Sequence, residues 1–301
     1  LGITRVRPAN LESRFRLNFV SDIFRTVAIA RKDRVLWLAV AGSIYFWFLG
    51  LLMQTNILFF GKNVLGVPEA RIGYLLAALA AGIGLGSYVA GIVSGRKIEY
   101  GLIPLGSIGI SILLFTLALP GRTFGSAAGL LAALGFSAGF FIVPLNALLQ
   151  QRPAPEVKGS VIAMANLMTF VGMLVATGFY WVLSSSLHLT PLQIFLVSSL
   201  LTVIATVYVC WLQPDSLMRL VLWLLTHSVY RIRVVGRENI PERSGALFVS
   251  NHMSFVDALL LIASTDRRIR FLMEEELYER PFIKPFARMM RVIPISTRQS
   301  P

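Results

Sequence analysis

Six apolar runs follow one another between residues 35 and 212 of this chain, and none of them contains Asp, Glu, Lys or Arg. A helix needs about 20 apolar residues to cross the roughly 30 Å hydrocarbon core of a bilayer. Only 14% of the 301 residues are charged, against about 25% in an ordinary soluble domain. The sequence therefore predicts an α-helical membrane bundle of six transmembrane helices. The runs are Val35–Phe60, Ile72–Ser94, Leu102–Leu119, Phe124–Leu149, Ser160–Leu183 and Pro191–Leu212.

The connections between these runs alternate in charge. Basic residues crowd the leader up to Arg34, the loop with Arg96 and Lys97, and the loop with Arg152 and Lys158, whereas the other loops hold few. Because Lys and Arg are enriched on the cytoplasmic side, both ends of this segment are predicted to be cytoplasmic. The formal net charge of +13 is thus mostly juxtamembrane, which favours anionic lipid head groups as partners and not nucleic acid.

Two kinds of residue inside the runs indicate how the helices meet. Gly82, Gly86 and other small residues at four-residue spacing predict close helix packing. Uncharged amides within a membrane either hydrogen-bond a neighbouring helix or bind a polar head group, and the sequence leaves both alternatives open. These amides are Gln54, Asn56, Asn146, Gln150 and Asn166.

The loop "GIVSGRKIEYG", from Gly91 to Gly101, resembles the basic loop motif of major facilitator transporters. The residues that carry this motif are Gly91, Gly95, Arg96 and Lys97. The stretches "VLWLAVAGSIYFWFLG" and "GRKIEYGLIPLG" are similar to bacterial lysophospholipid transporters of that superfamily, which lie in the inner membrane. The resemblance implies a cytoplasmic linker at residues 1–34 and a six-helix half-transporter at 35–213. This would be the carboxyl half, with the amino half elsewhere in the same polypeptide.

The long apolar runs end before Pro214, and the composition of the sequence changes after it. Residues 214–233 are apolar over too short a stretch to span, which predicts a helix on the membrane surface with Arg219, Arg231 and Arg233 near phosphates. Residues 234–301 contain the strand-like "ALFVS", the helix-like "ALLLIAS" and the strand-like "RVIPIS". This order indicates an α/β domain.

Between the first strand-like run and the helix-like run lies "NHMSFVD". A neutral imidazole takes a proton from an alcohol near pH 7, and a carboxylate fixes its tautomer, so His252 and Asp257 are a candidate catalytic pair. Ser254 is poorly placed for attack assisted by His252 and is more typical of a helix cap. A metal site is not predicted, because His252 has no second ligand at metal spacing.

"NHMSFVD" with the later "VIPISTR" resembles the glycerolipid acyltransferase family, of the 1-acylglycerol-3-phosphate or 2-acylglycerophosphoethanolamine type. The resemblance implies that His252 activates a glycerol hydroxyl, that Asp257 orients it, and that Asn251 and Ser254 help to bind substrate. Arg298 would contact an acceptor phosphate, although Pro294 stands where the family often has an aromatic residue. The family's Phe-Pro-Glu-Gly block does not occur in the sequence, so residues 234–301 are expected to be the amino-terminal part of a truncated α/β acyltransferase domain.

Together these resemblances predict phospholipid remodelling, in which lysophospholipid is transported and then re-acylated. Acyl carrier protein or coenzyme A would supply the acyl thioester, and no further cofactor is expected. Two alternatives remain open. In the first, the protein would be a membrane-anchored lysophosphatidate acyltransferase of phosphatidic acid synthesis. In the second, it would be a transporter that carries a non-catalytic remnant.

Overall fold

The computed structural model describes residues 19–95, 98–212, 235–236, 239–240, 245–251, 257–258, 260–261 and 269–296. The chain divides into two compact units, Leu1–Val207 and Tyr208–Pro301. The predicted boundary near residue 213 lies a few residues beyond this division, and the predicted surface helix at 214–233 falls outside the described residues.

The described part of the first unit is helical. Helix α6 is continued by a π-helical turn, Val182–Ser186. In chain order the helices are α1 (Phe19–Lys32), α2 (Arg34–Asn63), α3 (Glu69–Ser94), α4 (Leu102–Ala118), α5 (Phe124–Gln151), α6 (Lys158–Trp181) and α7 (Pro191–Leu212).

The predicted membrane runs are confirmed as helices. Among the described residues, five helices are long and apolar enough to cross a membrane, namely α2, α3, α5, α6 with its π-helical turn, and α7. Helix α4 has 17 residues, so it is about 26 Å long and lies at the lower limit for a span. Pro120 and Gly121, which has a φ of 80°, follow α4 and do not continue it.

Helix α1 lies within the basic leader, which the sequence predicts to be a linker. Its Asp22 lies in the first turn, and Arg31 and Lys32 lie in the last, an order of charges that suits the helix dipole. Thr26 and Ala30 are buried. The helix packs against α2 and α6, so part of the predicted linker is an ordered element of the bundle.

Close packing of α3 on α5 confirms the prediction made from the small residues. A Cβ added to Gly82 would lie 2.0 Å from the carbonyl oxygen of Ala132, and one added to Gly86 would lie 2.1 Å from that of Phe136. In the other direction, a Cβ on Gly135 would lie 2.1 Å from the carbonyl oxygen of Leu79. At these three positions a side chain would collide with the backbone of the facing helix, so glycine allows the close approach.

Helix α2 packs against α5, α6 and α7 through different side chains. Gly42 faces Leu145 of α5, and Gly172 of α6 faces Ile44. The ring of Phe60 meets that of Phe195 of α7 edge to face, with 5.3 Å between the centroids. Helix α2 is therefore held by several neighbours at once.

The described part of the second unit is a small parallel β-α-β arrangement. It comprises β1 (Leu272–Glu274), α8 (Glu275–Tyr278), α9 (Lys284–Met289) and β2 (Ile293–Ile295). Leu272 pairs with Ile293, and Glu274 pairs with Ile295. Parallel strands need a crossover connection, which α8 and α9 provide.

The predictions for this unit are confirmed in part. The strand in "RVIPIS" is β2, and the described residues of "DALLLIAS" are helical at positions 257–258 and 260–261. The prediction of a strand in "ALFVS" is wrong, because residues 246–250 form no strand. Leu247 and Val249 are 83% and 87% exposed, and the sheet of the described residues consists of β1 and β2 alone.

Candidate functional sites

Two residues of the "NHMSFVD" motif, Asn251 and Asp257, lie in the described part of the chain. Asn251 is exposed and in coil conformation, and Asp257 is half-buried in helical conformation. Asp257 is engaged in a polar or electrostatic interaction within the structure. His252 and Ser254 fall outside the described residues, so the pairing of His252 with Asp257 stays a prediction.

The second block, "VIPISTR", contains strand β2. Ile293 donates its backbone N–H to the carbonyl oxygen of Phe271, at 2.9 Å, which anchors β2 beside β1. Arg298 lies outside the described residues, two positions beyond the exposed Ser296. Because β1 and β2 are parallel, their carboxyl ends share one edge of the sheet, and in α/β sheets ligands bind at that edge. The contact of Arg298 with an acceptor phosphate stays a prediction.

The glycines of the loop motif have a structural role at the end of α3. Gly95 has a φ of 55°, in the left-handed region that favours glycine. Its N–H donates to the carbonyl oxygens of Gly91 and Ile92, at 3.1 and 3.2 Å, which closes the helix as a C-cap. Arg96 and Lys97 fall outside the described residues, so their role stays a prediction.

An ion pair between two helix ends was missed by the sequence analysis. Asp33 precedes α2 and caps it by accepting hydrogen bonds from the N–H groups of Val35 and Leu36, at 3.0 and 3.3 Å. Its other oxygen accepts a hydrogen bond from Nε of Arg152, which follows α5, at 2.6 Å. One carboxylate thus caps α2 and joins it to the end of α5. We call the end of the bundle that holds these two residues the basic end.

The ion pair shifts the pKa values of Asp33 and Arg152. The hydrogen bond from Arg152 lowers the pKa of Asp33, and the bonds from the two capped N–H groups act in the same direction. The same hydrogen bond raises the pKa of Arg152. Both side chains are partly exposed, so solvent screens the pair. The signal in the sequence was Asp33 two residues before an apolar run, a typical N-cap position.

The amides inside the spans differ in their surroundings. Asn56 is fully buried, and its Nδ2 donates to the carbonyl oxygen of Pro191, the first residue of α7, at 3.0 Å. For this residue the structure favours a bond to a neighbouring helix. The other four amides are exposed on the surface of the described bundle, and for them both alternatives stay open: Gln54, Asn146, Gln150 and Asn166.

Comparison with protein families identifies two regions. Residues 4–177, more than half of the chain, match the family model of the Major Facilitator Superfamily. Residues 231–300 match the Acyltransferase family model. The two matches fall in the same order as the two units of the structure.

Curated relatives point to the same superfamily. The chain is 35% identical over 163 residues to the lysophospholipid transporter LplT of Enterobacter sp. (strain 638), covering 53% of this chain and 40% of the relative. It is 35% identical over 167 residues to the LplT of Pectobacterium carotovorum, covering 54% and 40%, and 31% identical over 160 residues to that of Serratia proteamaculans, covering 52% and 39%. The chain thus spans about two fifths of the length of these relatives. No solved structure matches it significantly.

Three observations all indicate a helical membrane bundle. They are the match to the Major Facilitator Superfamily, the long apolar helices and the glycine contacts between α3 and α5. The chain is a multi-pass membrane protein that belongs to the Major Facilitator Superfamily and carries a domain of the Acyltransferase family in residues 231–300.

Proposed function

We propose that this protein takes part in phospholipid remodelling. Its membrane bundle would help to move lysophospholipid across the bacterial inner membrane, and its acyltransferase domain would re-acylate that lipid at the cytoplasmic face. The observation that carries the proposal is the succession of the two family matches in one chain, residues 4–177 and 231–300. The transport substrate is supported by the relatives, which are named lysophospholipid transporters.

The orientation is part of the proposal. The basic end of the bundle, with Asp33 and Arg152, would face the cytoplasm, in keeping with the enrichment of Lys and Arg on that side. Lipid delivered to the inner leaflet would then be on the same side as the acyltransferase domain.

The chemistry would be acyl transfer from a thioester of acyl carrier protein or coenzyme A. The glycerol hydroxyl of the lysophospholipid attacks the thioester carbonyl while His252 accepts the hydroxyl proton. The new ester C–O bond forms, the C–S bond breaks, and the thiol leaves with the proton that His252 returns. Asp257 would hold His252 in the correct tautomer, and Arg298 would bind the acceptor phosphate.

An acylation assay on the intact protein in membrane vesicles tests this proposal. Labelled lysophosphatidylethanolamine and lysophosphatidate are supplied in turn with acyl carrier protein or coenzyme A thioesters. His252→Asn should lower the rate by about 10²-fold or more, the range of general base catalysis. The matched control is His188→Asn, because His188 is exposed in the first unit and its φ of 50° suits Asn.

The alternatives give different results in the same assay. Acylation of lysophosphatidate alone would favour a membrane-anchored enzyme of phosphatidic acid synthesis. A rate that His252→Asn leaves unchanged would favour a transporter with a non-catalytic domain, and would refute catalysis by this motif.

A further inference from the structure

Helix α1 lies at the basic end of the bundle with one face packed and another exposed. Thr26 and Ala30, one turn apart, are buried, and the helix packs against α2 and α6. On the exposed side Phe24 leaves 70% of its surface accessible. No described residue covers this aromatic side chain.

The charge of the exposed side is strongly positive. Arg25, Arg31 and Lys32 of α1 are exposed, and so is Arg34, the first residue of α2. Of the nearby carboxylates, Asp33 is paired with Arg152, and Asp22 is one helical turn before Arg25 but lies at the opposite end of α1 from Arg31 and Lys32. The four basic side chains therefore form a surface that is complementary to anions.

Contacts with α2 place the carboxyl end of α1 beside the start of a helix long and apolar enough to cross a membrane. The guanidinium of Arg31 lies over the ring of Trp37, 4.9 Å from its centroid. Trp37 is in the first turn of α2, and Trp is enriched where spans meet the head-group layer. Phe24 precedes Arg31 by seven residues, two helical turns, so both lie on the same face of α1. The Arg31 end of this face therefore lies beside the start of α2.

We propose that α1 is a docking helix for anionic phospholipid head groups, with Phe24 inserted at the interface and Arg25, Arg31, Lys32 and Arg34 binding phosphates around it. An aromatic side chain flanked by long basic side chains is typical of helices that lie in the membrane interface. Anionic lipid would then hold the start of α2, which α1 precedes directly. This proposal does not depend on the transported substrate or on acylation.

A probe on α1 of the full chain tests the proposal. Because Cys210 is the single cysteine, Cys210→Ala with Ala28→Cys allows one environment-sensitive dye to be attached at an exposed position one turn from Phe24. The labelled protein is reconstituted in vesicles of phosphatidylcholine, or of equal parts of phosphatidylcholine and phosphatidylglycerol. We expect blue-shifted emission and stronger quenching by spin-labelled lipid in the anionic vesicles. Salt near 1 M should weaken the difference, because the Debye length falls to about 3 Å.

Charge variants decide whether α1 itself is responsible. Arg25→Gln, Arg31→Gln and Lys32→Gln in combination should abolish the lipid dependence, since each basic side chain changes the ratio of docked to released helix by about fivefold. The matched control removes the same charge from the other end of the bundle through Lys62→Gln, Arg71→Gln and Arg122→Gln, and should leave the response intact. Phe24→Ser should reduce the blue shift while the response to salt persists. Equal emission in both kinds of vesicle, or equal loss in the control variant, would overturn the proposal.

Discussion

The close contact of α3 with α5 predicts a large effect of a single methyl group. A Cβ on Gly82 would lie 2.0 Å from the carbonyl oxygen of Ala132 and 2.9 Å from its carbonyl carbon. These are backbone atoms, so the clash is relieved only by moving the two helices apart. Overpacking of this kind costs about 1–3 kcal/mol. Alanine also has a helix propensity about 1 kcal/mol more favourable than glycine, which partly hides the clash in a single measurement.

Gly84 provides the matched control, because it lies on the same helix and its added Cβ would meet no heavy atom within 4 Å. The propensity gain is common to both variants and cancels in the comparison. Gly82→Ala should therefore be less stable than Gly84→Ala by about 1–3 kcal/mol. The free energy of unfolding is measured on the full chain in mixed micelles by titration with sodium dodecyl sulfate, followed by circular dichroism. Equal midpoints for the two variants would show that α3 and α5 do not approach as closely as described.

Three further outcomes concern polar contacts. Asp33→Ala should destabilise the bundle by about 1–2 kcal/mol through loss of the cap and of the bond to Arg152, whereas Asp33→Asn keeps a cap and should lose less than about 1 kcal/mol in the same titration. Because Arg152 lowers the pKa of Asp33, the pair stabilises the fold above the ordinary carboxyl pKa. The stability difference between the parent protein and Asp33→Asn should thus shrink as the pH falls below about 4. Tyr45→Phe, which removes the 2.7 Å hydrogen bond to Thr202, should destabilise the protein by about 0.6 kcal/mol, and Tyr74→Phe at an exposed position should have no effect.

The sequence predicted the spans well because charge exclusion and length are local properties. It also predicted that Gly82 and Gly86 lie at a close helix contact. The identity of the partner was not predictable, since small residues occur in several spans and only the folded bundle selects α5 for α3. The ion pair of Asp33 and Arg152 depends on residues 119 positions apart, so the sequence shows two charges without showing that they meet.

Local signals were weaker in the second unit. The strand at residues 246–250 was predicted from β-branched and aromatic residues, but a strand requires a partner, and none is described beside Leu247 and Val249. Strand β1 was missed because its three residues, Leu272–Glu274, run directly into an acidic helix. The motif around His252 was found from the chemistry of its residue types and from its resemblance to a family, and not from geometry, which is why its catalytic role rests on the acylation assay.

Because the apolar runs contain no charged residues, hydrogen bonds and close packing are left to hold their helices together. Within α7 the hydroxyl groups of Ser198 and Thr206 donate to carbonyl oxygens four residues earlier in the same helix, so they contribute little to association. Bonds that do join helices, such as Ser199 to the carbonyl oxygen of Ser111, are worth about 0.6 kcal/mol each on average in a membrane. Filling the space at Gly82 should cost more than removing any one of them. Close backbone packing, and not hydrogen bonding, is therefore expected to determine which helices of this bundle pair.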